Sequence, residues 1–138
     1  MPKRRAPSGG DSALVIEIEV ENRSGVDVNE GAVVAVCRDV LAAEGIDSGD
    51  LGVAFAAPEE MRGLKREHLG IDEATDVLSF PIDRRDALPE VIPRQLGDVV
   101  LCPQVVGDAW HRPLVHGLLH LLGYEHGAEM SRREAELG

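Results

Sequence analysis

Three histidines near the C-terminal end of the chain have a spacing that suits metal binding. They are His116, His120 and His126, in the segment HGLLHLLGYEH. Residues i and i+4 of a helix share one face, so the imidazoles of His116 and His120 can converge on one ion at about 2.0–2.1 Å. Gly123 can end the helix and turn the chain back toward the ion, so that His126 supplies a third nitrogen. Three nitrogen ligands leave one tetrahedral position open, as in catalytic rather than structural zinc sites.

The alternative for these histidines is an ordinary place in the core without a metal. Each buried imidazole that lacks a partner costs about 1–3 kcal/mol, and here three of them occur close together among leucines. The pattern therefore predicts one Zn²⁺ per chain, bound by His116, His120 and His126. An open coordination position makes this ion a hydrolytic centre, because it can activate a water or polarise a phosphoryl oxygen.

The same spacing, H-x-x-x-H-x-x-G-x-x-H, also occurs in metzincin peptidases, which therefore have to be considered. Those enzymes carry Glu directly after the first histidine, as the general base that takes a proton from the attacking water. This chain has Gly117 at that position, and no obvious Met-turn strand follows. The spacing thus supports the metal, whereas the missing Glu makes a metzincin-like metallopeptidase the less favoured alternative.

The flanking sequence predicts the elements that position these ligands. From Arg112 onward, leucines and valines form an apolar surface so wide that the metal-binding helix is expected to be central and largely buried. Asn29 and Gly45 are suited to begin and end another helix, and Pro58 is suited to the first turn of a third. Strands are predicted at residues 14–20, 51–57, 75–80 and 97–102. The prediction is one α+β domain, a sheet of about four strands with packed helices and a central metal-binding helix.

Composition restricts the class of protein further. The 138 residues fit one domain, and the net charge of −11 repels polyanions, so a nucleic-acid substrate would require local basic groups. Cys37 and Cys102 lie in apolar surroundings and are expected to be buried free thiols. Acidic residues interrupt the apolar segment near the N-terminus, and no stretch approaches the ~18 apolar residues of a membrane span. We expect a cytoplasmic protein without membrane contact, with residues 1–12 as a disordered arm and residues 13–138 as the domain.

Three motifs, TDVLSFP, LGDVVLCP and HGLLHLLGYEH, follow one another in the order of the YbeY family of bacterial endoribonucleases and rRNA maturation factors, which the chain resembles from about Leu14 to Leu137. The resemblance implies a zinc-dependent endoribonuclease of single-stranded RNA that acts in rRNA processing, notably small-subunit 3′-end maturation, and in ribosome quality control. It implies His116, His120 and His126 as ligands, and ribosomal subunits or ribosomal proteins as partners. A non-catalytic, zinc-containing ribosome assembly factor is the alternative.

The chain departs from the family pattern at three places. Glu125 replaces the usual Asp before the last histidine, and the segment 104–114 is shorter than usual. Leu69 replaces an arginine that contacts RNA phosphate in the family. We predict that Arg66, one turn earlier on the same predicted helix, makes this contact, while Lys65 points about 100° away toward solvent.

Several polar residues near the motifs each have two interpretations. Asp98 either orients a histidine as a hydrogen-bond acceptor or caps a turn, and Tyr124 either donates to a phosphate or packs. Thr75, Asp76 and Ser79 either line the cleft or stabilise a turn and a strand edge. The arginine pairs at 84–85 and 132–133 are expected on the solvated surface. The candidate catalytic residues are therefore His116, Arg66, Asp98 and Tyr124.

Overall fold

A four-stranded sheet with helices on both faces forms the framework of the protein in its computed structural model. The structure describes residues 16–69, 76–86, 88–89, 92–125 and 127–138. The strands are β1 (Ile16–Asn22), β2 (Gly49–Phe55), β3 (Val77–Pro81) and β4 (Gln95–Leu101). The helices are α1 (Glu30–Ala43), α2 (Pro58–Leu69), α3 (Pro103–Val106), α4 (His111–Leu121) and α5 (Ala128–Leu137). The predicted arm (residues 1–12), Thr75 and His126 lie outside the described residues.

The sheet has the strand order β1-β2-β4-β3 and is mixed. Strands β1 and β2 are parallel, as are β2 and β4, whereas β3 runs antiparallel to β4 along the edge. Helix α1 provides the crossover between β1 and β2, as parallel neighbours require. Strand β4 has a neighbour on both sides and is buried along nearly its whole length. The predicted single α+β domain with a sheet of four strands is thereby confirmed.

Helix α4 is the central helix of the larger core, which lies between one face of the sheet and helices α1, α4 and α5. Each fully buried leucine contributes about 1.5–3 kcal/mol through removal of apolar surface from water. The buried side chains of α4 are Leu114, Val115, Leu118, Leu119 and Leu121. The smaller core on the other face of the sheet contains Met61 of α2 and Val100 of β4. The expected central and largely buried position of this helix is confirmed.

The predicted helix boundaries agree with the structure at most ends. The side chain of Asn29 accepts a hydrogen bond from the Ala32 N–H at 3.0 Å and so caps α1, and α2 begins at Pro58. Helix α4 ends just before Gly123, whose positive φ of 98° turns the chain away. The shortened segment before α4 contains the one-turn helix α3, which the sequence analysis did not predict.

Both cysteines are free and buried, as predicted. Burial raises the pKa of the Cys37 thiol to about 12, so this thiol stays protonated at neutral pH. In the described ranges, no helix combines the length and apolar character needed to cross a membrane.

Candidate metal centre

Gly117 lets α4 lie directly against strands β3 and β4. A Cβ atom at this position would be 2.7 Å from Val99 Cγ1 and 3.1 Å from both Ser79 Oγ and Val77 Cγ2. The Ser79 hydroxyl also donates a hydrogen bond to the Gly117 carbonyl at 3.1 Å. The helix face that contains Gly117 is therefore packed on the sheet, and a Glu side chain has no space there.

His116 and His120 of α4 approach each other through their Nε2 atoms. These atoms are 3.2 Å apart, and the rings lie nearly perpendicular at 81°. The Nδ1 atom of His116 pairs with the Glu134 carboxylate, and the Nδ1 atom of His120 donates to the Tyr124 carbonyl at 2.9 Å. A carbonyl and a carboxylate only accept hydrogen bonds, so both protons belong on Nδ1 and both Nε2 lone pairs face each other.

This arrangement fits a metal ion. Two nitrogens at about 2.0–2.1 Å from one tetrahedral zinc lie about 3.3 Å apart, close to the separation between His116 and His120. A ligating histidine almost always donates its other N–H to a carboxylate or carbonyl, and both histidines do so here. The pair can therefore supply two of the predicted ligands. His126 lies outside the described residues, and among the described ones no three His, Cys, Asp or Glu side chains form a metal-binding group, so the third ligand stays a prediction.

A buried carboxylate anchors the helix that carries Glu134. The Glu44 side chain, at the end of α1, is only 3% exposed and forms ion pairs with Arg133 of α5 and, at 2.5 Å, with Arg85. Arg133 also donates to the Ala43 carbonyl at 3.0 Å. Because Glu134 follows Arg133, this anchor places the Glu134 carboxylate beside His116. Arg85 is exposed, as expected, and Arg133 is half-buried, but both also pair with the buried Glu44 carboxylate.

Tyr124 contributes its backbone carbonyl to the site, and its hydroxyl forms a hydrogen bond with Glu44. Its carbonyl accepts from His120, as described above, while its ring is half-buried. Burial raises the pKa of the Tyr124 hydroxyl above its usual value, and the hydrogen bond to Glu44 raises it further. The phenol thus has a partner within the protein, which favours the packing interpretation over a hydrogen bond to phosphate.

The histidines open onto a cleft of about 560 Å³. Residues from β3, the loop after β3, α2, α4 and the turn after α4 line it. They are Lys65, Asp76, Val77, Leu78, Ser79, Pro81, Arg84, His116, His120, Gly123, Tyr124 and Glu125. Of the two interpretations of Asp76 and Ser79, the structure thus favours the one in which they line the cleft.

Comparison with known proteins identifies the family. The family described as Endoribonuclease YbeY matches residues 17–137. The chain belongs to the Endoribonuclease YbeY family. The Endoribonuclease YbeY of Salinispora tropica is 37% identical over 86% of this chain and 88% of its own length. That of Mycolicibacterium paratuberculosis is 35% identical over 86% of this chain and 77% of its own length. The family resemblance of the three motifs is thereby confirmed.

The fold has a counterpart among solved structures. The solution structure of TM1509 from Thermotoga maritima matches with a TM-score of 0.53 and 21% identity, over 87% of this chain and 85% of that one. At this level of identity the match concerns the fold alone. The mixed sheet and its packed helices are thus an arrangement already known from an experimental structure.

In this YbeY-family chain, Lys65 rather than Arg66 reaches the cleft. Met61 is fully buried against the sheet, and Lys65 lies one turn later on the same face of α2. Lys65 is half-buried and lines the cleft, whereas Arg66 is exposed and does not line it. The predicted direction of Lys65 toward solvent is wrong, because the burial of Met61 sets the rotation of the helix. A phosphate contact by Arg66 stays a prediction.

Asp98 lies on the other face of the sheet from α4. Val99 of β4 contacts the position of Gly117, and successive residues of a strand point to opposite faces. Asp98 is paired across the strands with Phe80, which belongs to the cluster beneath α2. Of the two interpretations of Asp98, the one in which it orients a histidine is therefore not supported for His116 and His120, whose acceptors are Glu134 and the Tyr124 carbonyl.

Glu134 is expected to determine how strongly the centre binds zinc. In Glu134→Gln the acceptor loses its charge, so His116 becomes a weaker base, and we expect zinc affinity to fall about ten- to hundredfold. Competition with a chromophoric chelator measures this affinity. The matched control is Glu129→Gln, an exposed carboxylate of the same helix. Equal affinities of Glu134→Gln and wild type would contradict this role of Glu134.

Proposed function

We propose that this protein is a zinc-dependent endoribonuclease of single-stranded RNA that acts in rRNA processing, notably small-subunit 3′-end maturation, and in ribosome quality control. Its partners are ribosomal subunits or ribosomal proteins, and its compartment is the cytoplasm. Membership of the Endoribonuclease YbeY family supports the reaction class. The observation that carries the metal dependence is the pair of Nε2 atoms at the cleft, each on a ring whose Nδ1 is held by an acceptor.

The residues of the chain have distinct tasks in this reaction. Zinc held by His116, His120 and His126 would supply Lewis acidity, which polarises a phosphoryl oxygen or a water. Glu134 and the Tyr124 carbonyl keep the protons of His116 and His120 on Nδ1, so that each Nε2 stays available as a ligand. The cleft beside His116 and His120 is the place where the single strand would bind.

Peptide hydrolysis by a metzincin-like mechanism does not suit this centre. Such a mechanism requires a carboxylate base at the position after the first histidine, and Gly117 is packed there against Val99 and Ser79. A carboxylate side chain could not be introduced at position 117 without moving α4 off the sheet. The geometry thus supports the nuclease over the peptidase.

One experiment on the purified 138-residue protein tests both the choice of substrate and the dependence on metal. We expect it to cut a single-stranded RNA oligonucleotide on a denaturing gel and to leave casein intact, with cleavage lost on chelation and regained with added zinc. Chelator-sensitive hydrolysis of casein with intact RNA would reverse the order of the two hypotheses. Stoichiometric zinc without cleavage of RNA or casein would favour the non-catalytic assembly factor and overturn the nuclease.

A further inference from the structure

Arg84 holds an unusual backbone conformation in the loop after β3. It is the one non-glycine residue with a positive φ, 52°, in the described part of the chain. Left-handed backbone is costly for an L-residue and persists only where its surroundings enforce it. Here Arg94 donates to the Arg84 carbonyl at 2.7 Å and to the Asp86 carbonyl at 2.9 Å. The carboxylate of Asp83 accepts from the Gln95 N–H at 2.7 Å, which ties the start of the turn to β4.

This conformation separates the directions of two adjacent arginines. Arg85 reaches the buried carboxylate of Glu44 with its guanidinium and donates to the Glu44 backbone carbonyl at 3.1 Å. Arg84 is exposed and lines the cleft that contains His116 and His120. Within the described residues, the Arg84 guanidinium takes part in no hydrogen bond or ion pair. The loop therefore presents a strongly charged group to the cleft without using it to stabilise the fold.

Lys65 of α2 adds a second cation to the same cleft. Among the described residues, the cleft is lined by the cations Lys65 and Arg84 and by the anions Asp76 and Glu125. These four side chains balance in charge, whereas the whole chain carries a net charge of −11. A polyanion is expected to meet less repulsion here than the net charge of the chain suggests, and the loss of Lys65 or Arg84 would leave these four side chains net negative.

We propose that Arg84 and Lys65 form a phosphate-binding pair that holds the backbone of single-stranded RNA beside His116 and His120. This inference rests on the proposed function and names how the same site binds its substrate. Arg84 offers a planar fork for bidentate contact with phosphate oxygens, and Lys65 offers a compact point charge. The enforced turn places the backbone of Arg84 at the edge of the cleft before RNA arrives.

The pair is tested by RNA binding to zinc-loaded protein over a range of salt concentrations. The probe is a fluorescein-labelled 2′-O-methyl RNA strand of about 12 nucleotides, measured by fluorescence anisotropy. We expect Arg84→Ala and Lys65→Ala each to weaken binding about tenfold at low salt. Each should also reduce the slope of log K against log salt by about 0.7, the change for one phosphate contact on a single strand, with zinc content unchanged.

Two further variants distinguish a direct phosphate contact from an effect of net charge and from a loss of protein stability. Arg62→Ala removes one positive charge from an exposed position of α2 outside the cleft, and it should keep the slope of wild type. Arg84→Gly removes the guanidinium and suits the positive φ, so it should weaken RNA binding without lowering Tm.

The outcomes distinguish the pair from the function on which it rests. If Arg84→Ala and Lys65→Ala both bind RNA with the affinity and the salt slope of wild type, the proposed phosphate-binding pair is wrong. The proposed nuclease function is not affected by that result. An equal loss in Arg62→Ala also overturns it, since the effect then belongs to net charge. If zinc-loaded wild type neither binds the probe nor cleaves single-stranded RNA, the proposed function is wrong, and the phosphate-binding pair is wrong with it.

Discussion

His120→Ala is expected to reduce bound zinc from about one ion per chain to a small residual amount and to abolish metal-dependent RNA cleavage. The Nε2 atom of His120 lies 3.2 Å from that of His116, and its loss leaves too few nitrogens to retain the ion against buffer. Elemental analysis of dialysed protein measures the zinc content, and a denaturing gel measures cleavage.

The matched control for this substitution is His111→Ala, which removes a histidine from the first turn of the same helix and outside the cleft. It should retain both zinc and cleavage. The combined substitution of His116, His120 and His126 by Ala extends the test to the ligand that lies outside the described residues. If that variant holds as much zinc as wild type, the metal is bound elsewhere.

Gly117→Ala is expected to destabilise the protein by about 2 kcal/mol, and Gly117→Glu to prevent folding. The added methyl group meets Val99 Cγ1 at 2.7 Å inside a packed core, and such overpacking costs about 1–3 kcal/mol. A Glu side chain would in addition bury a charge against the sheet. Urea unfolding followed by circular dichroism measures the free energy of unfolding for Gly117→Ala.

Gly63→Ala provides the matched control, because Gly63 is also in the interior of a helix. A Cβ atom there meets only the flexible end of Arg66, at 4.0 Å, so the helix propensity of Ala should raise stability by about 0.5–1 kcal/mol. If Gly117→Ala lowers the free energy of unfolding while Gly63→Ala raises it, the loss at Gly117 comes from the close packing of α4 on the sheet. A stable, folded Gly117→Glu protein would contradict this account and would also reopen the peptidase hypothesis.

The sequence by itself determined the features that depend on neighbours along the chain. The i, i+4 spacing predicted that His116 and His120 share a helix face, and their Nε2 atoms do meet. Asn29 and Gly123 predicted helix ends because caps act within one turn. Alternation of apolar residues predicted the strands, and three short motifs predicted the family, which the comparisons confirm.

Only the tertiary structure decided which distant side chains complete the site. Glu134 lies 18 positions from His116, and Arg133 lies 89 positions from Glu44, so no local period relates either pair. The rotation of α2 depends on how Met61 packs, which directs Lys65 rather than Arg66 to the cleft. Likewise, Asp98 is separated from His116 and His120 because α4 packs on the opposite face of the sheet. Periodicity reports which residues share a face, whereas the partner of that face is set by the packing of the whole core.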